Sequence, residues 1–374
     1  MRTKSFTILL LLTIIAMGGA AWSVVERDRA TASTAPPPSL FPDLLGRVND
    51  IARINVQTPK LAFTIEKIPG KDGADDVWGI KERDGYPVKF ETIKQAVVGI
   101  ASMRMLEAKT AKPELHARLF LKTPKDGGRG TTIALADGSG ETIAAIVVGK
   151  TKNPPSKTED GIHYVRRLDR DQSYLAAGRV EVWETIDRWL DDAMPTIKRQ
   201  RVRAVETVQP NGDRVGVFHN DPDGRDFKIA NIPPGMKPLH DTAGNALGSA
   251  LGFLAFDDVR AAGKIDFTGA NLAEFKTFDG LSVKFVVVKR KDGLKDVHWM
   301  RISARFDAAD IQLDGLTDKQ KKVMKSPEDV EAEAADINKR YGPWAFQVPS
   351  YKAKDFMTPP DALLMKDDGD GGKS

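Results

Sequence analysis

"FKTFDGLSVKFVVV", residues 275–288, sets an Asp-Gly pair between two runs of apolar and β-branched residues. Asp-Gly tolerates the positive backbone dihedrals of a tight reversal, so the stretch spells an antiparallel hairpin turning at Asp279-Gly280. The same grammar occurs earlier in "IALADGSGETIAAIVV", residues 133–148. Read outward from these two hairpins, the chain repeats itself. Alternating apolar residues mark strands at 51–56 and 202–207, followed by "AFTIEKI" (62–68) and "DRVGVFH" (213–219). An Asp/Gly-rich turn comes next in each half, "GKDGADD" (70–76) and "DPDGRD" (221–226), and then a short aromatic strand at 77–80 and 226–229. Each half offers a helix before its hairpin. "FETIKQAVVGIASMRML" (90–106) places Ile93, Val97 and Ile100 at helical spacing, and "TAGNALGSALGFLAFDDV" (242–259) does so with Leu247, Leu251 and Leu254. Strands at "HYVRRLD" (163–169) and "HWMRISARF" (298–306) follow the hairpins. Two unrelated segments of similar composition would share an element order by chance, but the matched succession of turn, aromatic strand and helix favours a repeat.

The expected architecture is therefore α+β: an N-terminal transmembrane helix, then two tandem β-β-β-helix-β-β-β repeats over 46–195 and 196–358. "VEVWETIDRWLDDAM" (180–194) has Val182, Ile186, Trp189 and Leu190 on one helical face and is expected to join the repeats as a helix. A helical insertion is expected over 307–341. Within it, Ser326-Pro-Glu-Asp329 is a strong helix start, with an N-cap serine, proline in the first turn and acids near the positive end of the dipole. That helix should stop near Gly342-Pro343 and give way to the strand "WAFQV" (344–348).

The 374 residues are enough for two modest domains, and 41% of them are hydrophobic, which suits a folded chain. A formal net charge of only +4, with both signs interspersed, offers no broad basic field for nucleic acid. Cysteine is absent, which removes disulfides, thiolate metal sites and cysteine nucleophiles. A basic lead, residues 1–4, precedes an uncharged apolar stretch over residues 5–25 that includes Trp22. About 20 residues at about 1.5 Å each span the roughly 30 Å hydrocarbon core. The stretch reads as an uncleaved anchor more readily than as a signal cut after Gly19-Ala20-Ala21, because the apolar run is long and no polar segment precedes the cut. The simplest topology leaves the lead in the cytoplasm and the folded part in the periplasm, attached to the inner membrane through residues 5–25. "RATASTAPPPSLFPD" opens a Pro-rich linker, 26–45, and the polar, Gly-rich end of the chain, 359–374, is expected to be disordered.

Ile146-Val147-Val148-Gly149-Lys150-Thr151 resembles the close of a phosphate-binding loop. The full loop needs a glycine where Ala144 stands and a helix where Lys152-Asn153-Pro154-Pro155 follows, so no nucleotide site is expected. His116, His163, His219, His240 and His298 have no metal-ligand spacing. Asp191-Asp192 and Asp257-Asp258 are adjacent acids at expected helix ends, where their side chains diverge. Ser173 and Ser249 have no triad partners nearby in sequence. Trp78, Trp183, Trp189, Trp299 and Trp344 lie in expected strands or amphipathic helices, where core packing outweighs a ligand groove. No catalytic, cofactor-binding or metal residues are assigned.

Residues 78–121, "WGIKERDGYPVKFETIKQAVVGIASMRMLEAKTAKPELHARLFL", resemble the family called domain of unknown function (DUF) 4340. The likeness rests on Trp78, Gly85-Tyr86-Pro87, the helix, Lys109-Thr110-Ala111, Pro113-Glu114-Leu115 and Ala117-Arg118-Leu119. "HYVRR" (163–167), "WLDD" (189–192) and "INKRYGPWAFQVPSYKAKDF" (337–356) extend it over most of 46–358. The resemblance implies a membrane-anchored envelope protein, and some members are encoded beside ABC-type components like those of gliding-motility systems. It carries over no catalytic residues. The resulting expectation is a non-enzymatic accessory or scaffold subunit of a transporter-like envelope complex. The alternatives are a module binding an envelope glycan, peptide or lipid, and a hydrolase whose triad assembles from distant residues.

Overall fold

A computed structural model describes residues 36–70, 76–154, 160–180 and 185–367. The apolar stretch 5–25, Trp22, Trp183 and the first half of the linker lie outside the described residues. Among those described, no helix is long and apolar enough to cross a membrane.

The protein is mostly β-sheet, with 40% strand against 24% helix, and its three sheets are antiparallel. This corrects the α+β expectation and its paired β-β-β-helix-β-β-β repeats. The first nine strands are β1 (Ile51–Gln57), β2 (Ala62–Ile68), β3 (Val77–Ile80), β4 (Tyr86–Pro87), β5 (Arg104–Ala108), β6 (Thr131–Asp137), β7 (Thr142–Asn153), β8 (Gly161–Arg167) and β9 (Ser173–Gly178). They form one sheet in the order β4-β3-β2-β1-β6-β7-β8-β9-β5. The later strands are β10 (Val202–Val208), β11 (Arg214–Phe218), β12 (Lys228–Ala230), β13 (Met236–Pro238), β14 (Asp258–Ala261), β15 (Asn271–Thr277), β16 (Asp279–Asp292), β17 (Lys295–Ile311), β18 (Trp344–Val348) and β19 (Leu364–Lys366). Eight of these form a sheet in the order β12-β11-β10-β15-β16-β17-β18-β14, and β13 pairs with β19 alone. The described residues divide into two compact units, one drawn from 36–50, 95–132 and 143–180, the other from 51–94, 133–142 and 185–367.

The elements that local chemistry dictates are present. The Asp279-Gly280 reversal joins β15 to β16, with Gly280 at φ +86°. The 138–141 turn holds Gly140 at φ +91°, and Asp137 Oδ1 accepts from the Ser139 and Glu141 amides at 2.9 and 3.0 Å. Ser326 caps the helix Pro327–Tyr341 by accepting from the Asp329 amide at 3.2 Å. Val330, Ala334, Ile337 and Tyr341 bury one stripe of that helix.

Three expected helical features fail for stated reasons. Over 242–259 only one helical turn, Asn245–Gly248, and a 3-10 turn, Ala250–Gly252, form. A Cβ on Gly248 would lie 2.3 Å from the Phe227 ring, so the glycine spacing serves close packing on Phe227 and the segment gives up helix length. The connecting helix expected at 180–194 is reduced, in its described part, to the 3-10 turn Ile186–Arg188 with Trp189 and Leu190 buried behind it. The insertion expected to be helical from 307 begins as strand, because β17 runs to Ile311. The chain end also departs from expectation. Leu363 and Leu364 are buried, and β19 pairs with β13 inside the stretch read as disordered. Leu40, Phe41 and Leu44, within the stretch read as linker, are likewise buried.

In the larger unit, Phe275, Phe285 and Phe356 pack with centroids 4.7 to 5.7 Å apart. Gly85 (φ +83°) turns the chain so that the Tyr86 ring packs edge-on against Trp344 at 5.0 Å, and the Tyr86 hydroxyl donates to the Asp191 carbonyl at 2.8 Å. The free edge of β17 beyond Met300 is met by the helix Pro327–Tyr341. The Asn338 side chain accepts from the Ala304 amide at 2.9 Å and donates to its carbonyl at 2.7 Å, satisfying an exposed strand edge. In the smaller unit, buried Arg166 of the "HYVRR" run donates to the Leu121 carbonyl at 3.0 Å and to the carbonyls of Leu168 and Arg170 at 3.3 Å.

One ion cluster stands at the centre of the larger unit. Arg201 is 3% exposed and donates to Asp279 from Nε at 2.8 Å and to both Glu333 oxygens at 2.8 and 2.9 Å. The Lys325 ammonium reaches Glu333 at 3.1 Å and its amide reaches Asp279 at 2.9 Å. Asp279→Ala leaves buried charge without its partner. It is expected to cost about 3–5 kcal/mol in the guanidinium unfolding free energy, whereas Arg305→Ala, at an exposed pair, is expected to cost less than about 1 kcal/mol.

Candidate functional site

Gly149, Lys150 and Thr151 lie inside β7, not in a loop, and each has a local reason. A Cβ on Gly149 would sit 2.2 Å from the Leu119 carbonyl oxygen, so the strand tolerates no side chain there. Lys150 Nζ lies over the Phe120 ring at 4.8 Å, and Thr151 Oγ1 pairs with His163 Nδ1 at 3.0 Å. Among the described residues that follow, 154 and 160–167, none is helical.

The histidines are dispersed. His116 Nε2 donates to the Asp171 carbonyl at 2.8 Å. His219 is buried against Phe227, with its ring nitrogens on the carbonyls of Asp221 and Val202. His240 Nδ1 contacts Thr242 Oγ1 at 3.2 Å. Burial holds His163 below the usual imidazole range, and it does the same for His298, aided by nearby Lys289. The His298 ring lies 3.3 Å from Ser350 Oγ, a pairing that sequence spacing did not reveal because 52 residues separate them. A catalytic dyad needs its base oriented by a third group. The neighbouring Asp296 is instead held by Lys289 and Lys291 at 3.3 and 2.6 Å.

Ser173 is buried and shares hydrogen bonds with the Thr110 amide and carbonyl at 3.1 and 2.8 Å. Ser249 accepts from Arg199 at 3.3 Å. The adjacent acids do not sit at helix ends: Asp258 opens β14 and pairs with Arg83 and Arg260, while Asp192 pairs with Lys89 at 2.6 Å. Burial, with Asp187 and Asp258 nearby, raises Asp257 above the usual carboxyl range. Trp189 and Trp299 are buried, Trp344 is half-buried against Tyr86, and Trp78 carries Lys67 over its ring at 5.5 Å.

Two features of the larger unit stand out on its surface. The first is a cavity of about 690 Å³ on the outer face of β10, β11 and β12. Register sets Ala204 opposite Phe218 and Glu206 opposite Gly216, so these positions share that face, with Lys276 and Glu274 beside them. Burial alone would raise the Glu274 carboxyl, but hydrogen bonds from Ser282 at 2.6 Å and Arg305 at 3.0 Å hold it below its ordinary range. The second is the β16–β17 ribbon. β15 pairs with β16 only as far as Val287, and β18 pairs with β17 only from His298, so 289–297 pairs solely with itself. Its root is anchored by buried Val288 and Trp299 and by Arg290, which donates to the Asp266 and Thr268 carbonyls at 2.9 and 2.8 Å. Gly293 (φ +58°) makes a two-residue reversal, and Leu294 at the tip is 100% exposed. The sequence carried the signal in another Asp-Gly pair, Asp292-Gly293.

No protein family, no curated protein and no solved structure matches this chain.

Two outcomes follow. Gly149→Ala is expected to destabilise the fold by about 1–3 kcal/mol through backbone overpacking, while Lys150→Ala stays within about 0.5 kcal/mol; chemical denaturation reads both. Because His163 is depressed in the folded state, its contribution is complete above the unfolded imidazole pKa of about 6.5 and is lost as pH falls below it. His163→Asn should therefore flatten the decline of stability on going from pH 7 to 5, measured as the difference from the parent chain at each pH.

Proposed function

We propose that this chain is a non-enzymatic accessory or scaffold protein of an ABC-transporter-like envelope complex. The apolar residues 5–25 attach it to the inner membrane, and its folded part stands in the periplasm. The observation that carries this reading is the β16–β17 ribbon. A twisted two-stranded arm is anchored at its root and ends in an apolar side chain with nothing to bury it. Full burial of a leucine contributes about 1.5–3 kcal/mol, which a partner's pocket would supply. Two supports stand beside it. His116, His219 and Ser173 are held by backbone carbonyls in structural roles. Residues 78–121 and 337–356 resemble a family some of whose members are encoded beside ABC-type components.

A second reading, a module for an envelope glycan, peptide or lipid, is favoured by the cavity on β10–β12, where half-buried Phe218 offers an apolar floor among Glu206, Arg214 and Lys276.

Extraction in mild detergent and affinity purification test the leading reading. It expects membrane transport subunits to be enriched, with Leu294→Asp reducing that enrichment about tenfold or more. Recovery of the parent chain as a lone monomer, or equal enrichment with Leu294→Asp, would count against it.

A further inference from the structure

Phe120 sits in the left-handed backbone region (φ +60°), where the Ala117 carbonyl accepts its amide at 3.3 Å. Its half-buried ring is met by two cations. The Arg129 guanidinium lies 4.2 Å from the ring centroid and the Lys150 ammonium 4.8 Å. Their separation is therefore at most about 9 Å, comparable with the roughly 8 Å over which charges remain unscreened in physiological salt. Lys152 follows Lys150 two residues along the same strand, about 7 Å away. Lys122 adjoins Arg129 through its carbonyl, which accepts the Gly130 amide at 3.1 Å. All four basic side chains are exposed, and none has an ion pair among the described residues. Asp126, the carboxylate of the intervening turn, is engaged by the Thr123 hydroxyl at 2.6 Å. Elsewhere the exposed cations of this protein are commonly paired, as Lys289, Lys291 and Arg305 are. Grouping four unpaired cations costs mutual repulsion that an anionic partner would relieve.

We propose that this face, centred on Phe120, docks on an anionic phospholipid surface. Small anions are held in buried cradles with aimed amides, and here the amides of Gly127, Gly128 and Gly130 are already committed to the Pro124, Thr123 and Lys122 carbonyls. An open row of cations around a half-exposed aromatic ring suits a plane of headgroup phosphates instead, with the ring at the interface. The docking rests on the reading that residues 5–25 bring the protein to a membrane, and it adds how the folded part is oriented there. The Gly149-Lys150-Thr151 run thus contributes a cation to a lipid face, and its glycine only makes room for the turn that presents Phe120.

The chain has no cysteine, so Asn153→Cys gives a unique position beside the face for an environment-sensitive dye. Acrylamide quenching of that dye is compared for the full chain with vesicles of neutral phospholipid and with vesicles containing about one-third anionic phospholipid. Quenching is expected to fall several-fold with the anionic vesicles only. The protection should be lost in Arg129→Glu/Lys150→Glu and kept in Arg129→Lys/Lys150→Arg, which retains the charge. Each basic residue near such a surface contributes roughly fivefold to binding, so half-protection in the charge-reversed protein should need more than tenfold more anionic lipid. Equal quenching with both vesicles, or protection unaffected by charge reversal, overturns the proposal. Flotation with the neutral vesicles reads attachment through residues 5–25 separately, so failure of that reading is seen independently of the dye.

Discussion

The Arg201 guanidinium is the constraint on which the larger unit depends. It lies away from water and is held by carboxylates from two places far apart in sequence, Asp279 at the start of β16 and Glu333 on the helix Pro327–Tyr341. Burial works against its charge, and the carboxylates more than offset that, holding it above the usual arginine range. With Lys325 the cluster carries two positive and two negative charges. Each carboxylate is satisfied by several donors, among them the Thr277 hydroxyl on Asp279 at 2.6 Å. A buried pair of this kind contributes little net energy over an apolar replacement, but it tolerates only one arrangement of its partners. It therefore acts on register. Arg201, just before β10, the Asp279-Gly280 reversal and the late helix must meet in one geometry, and Phe278 reinforces this by donating its amide to the Arg201 carbonyl at 2.8 Å.

From that fixed corner the ladder propagates. β16 and β17 are paired from Leu281 and Phe306 out to Asp292 and Lys295, so the geometry set at Asp279 extends to the tip at Leu294. A hairpin without cross-bracing is marginal in water. This one is braced for half its length by β15 and β18 and at its root by Arg290, and only then left to stand alone. The arrangement gives the scaffold reading its physical content: a stiff sheet, a short unsupported arm and an apolar end.

Much of the fold was legible wherever a local rule admits one outcome. Asp-Gly reversals, the Ser326 cap with Pro327, the helix from Phe90 and the strand Trp344–Val348 follow from two to four residues each. The failures share a cause. The apolar spacing of 242–259 and 180–194 fits a helix as well as a buried irregular segment, and what decides is tertiary. Phe227 fills the space that a Gly248 side chain would need, and Trp189 is fixed edge-on against Phe63 at 5.7 Å. Arg201, Asp279 and Glu333 carried no sequence signal, since 78 and 132 residues separate the arginine from its partners. The face around Phe120 was hidden for the same reason. Its cations come from a turn and a separate strand, and the rejection of a phosphate loop at Gly149-Lys150-Thr151 leaves them unmarked.

In the proposed scaffold role, Leu294 is the point at which this protein meets its partner. A photo-crosslinking amino acid at position 294, compared with one at exposed Lys319, tests it in intact cells. One discrete membrane-protein adduct is expected from position 294 and none from 319. Identical, diffuse labelling from both positions would contradict it.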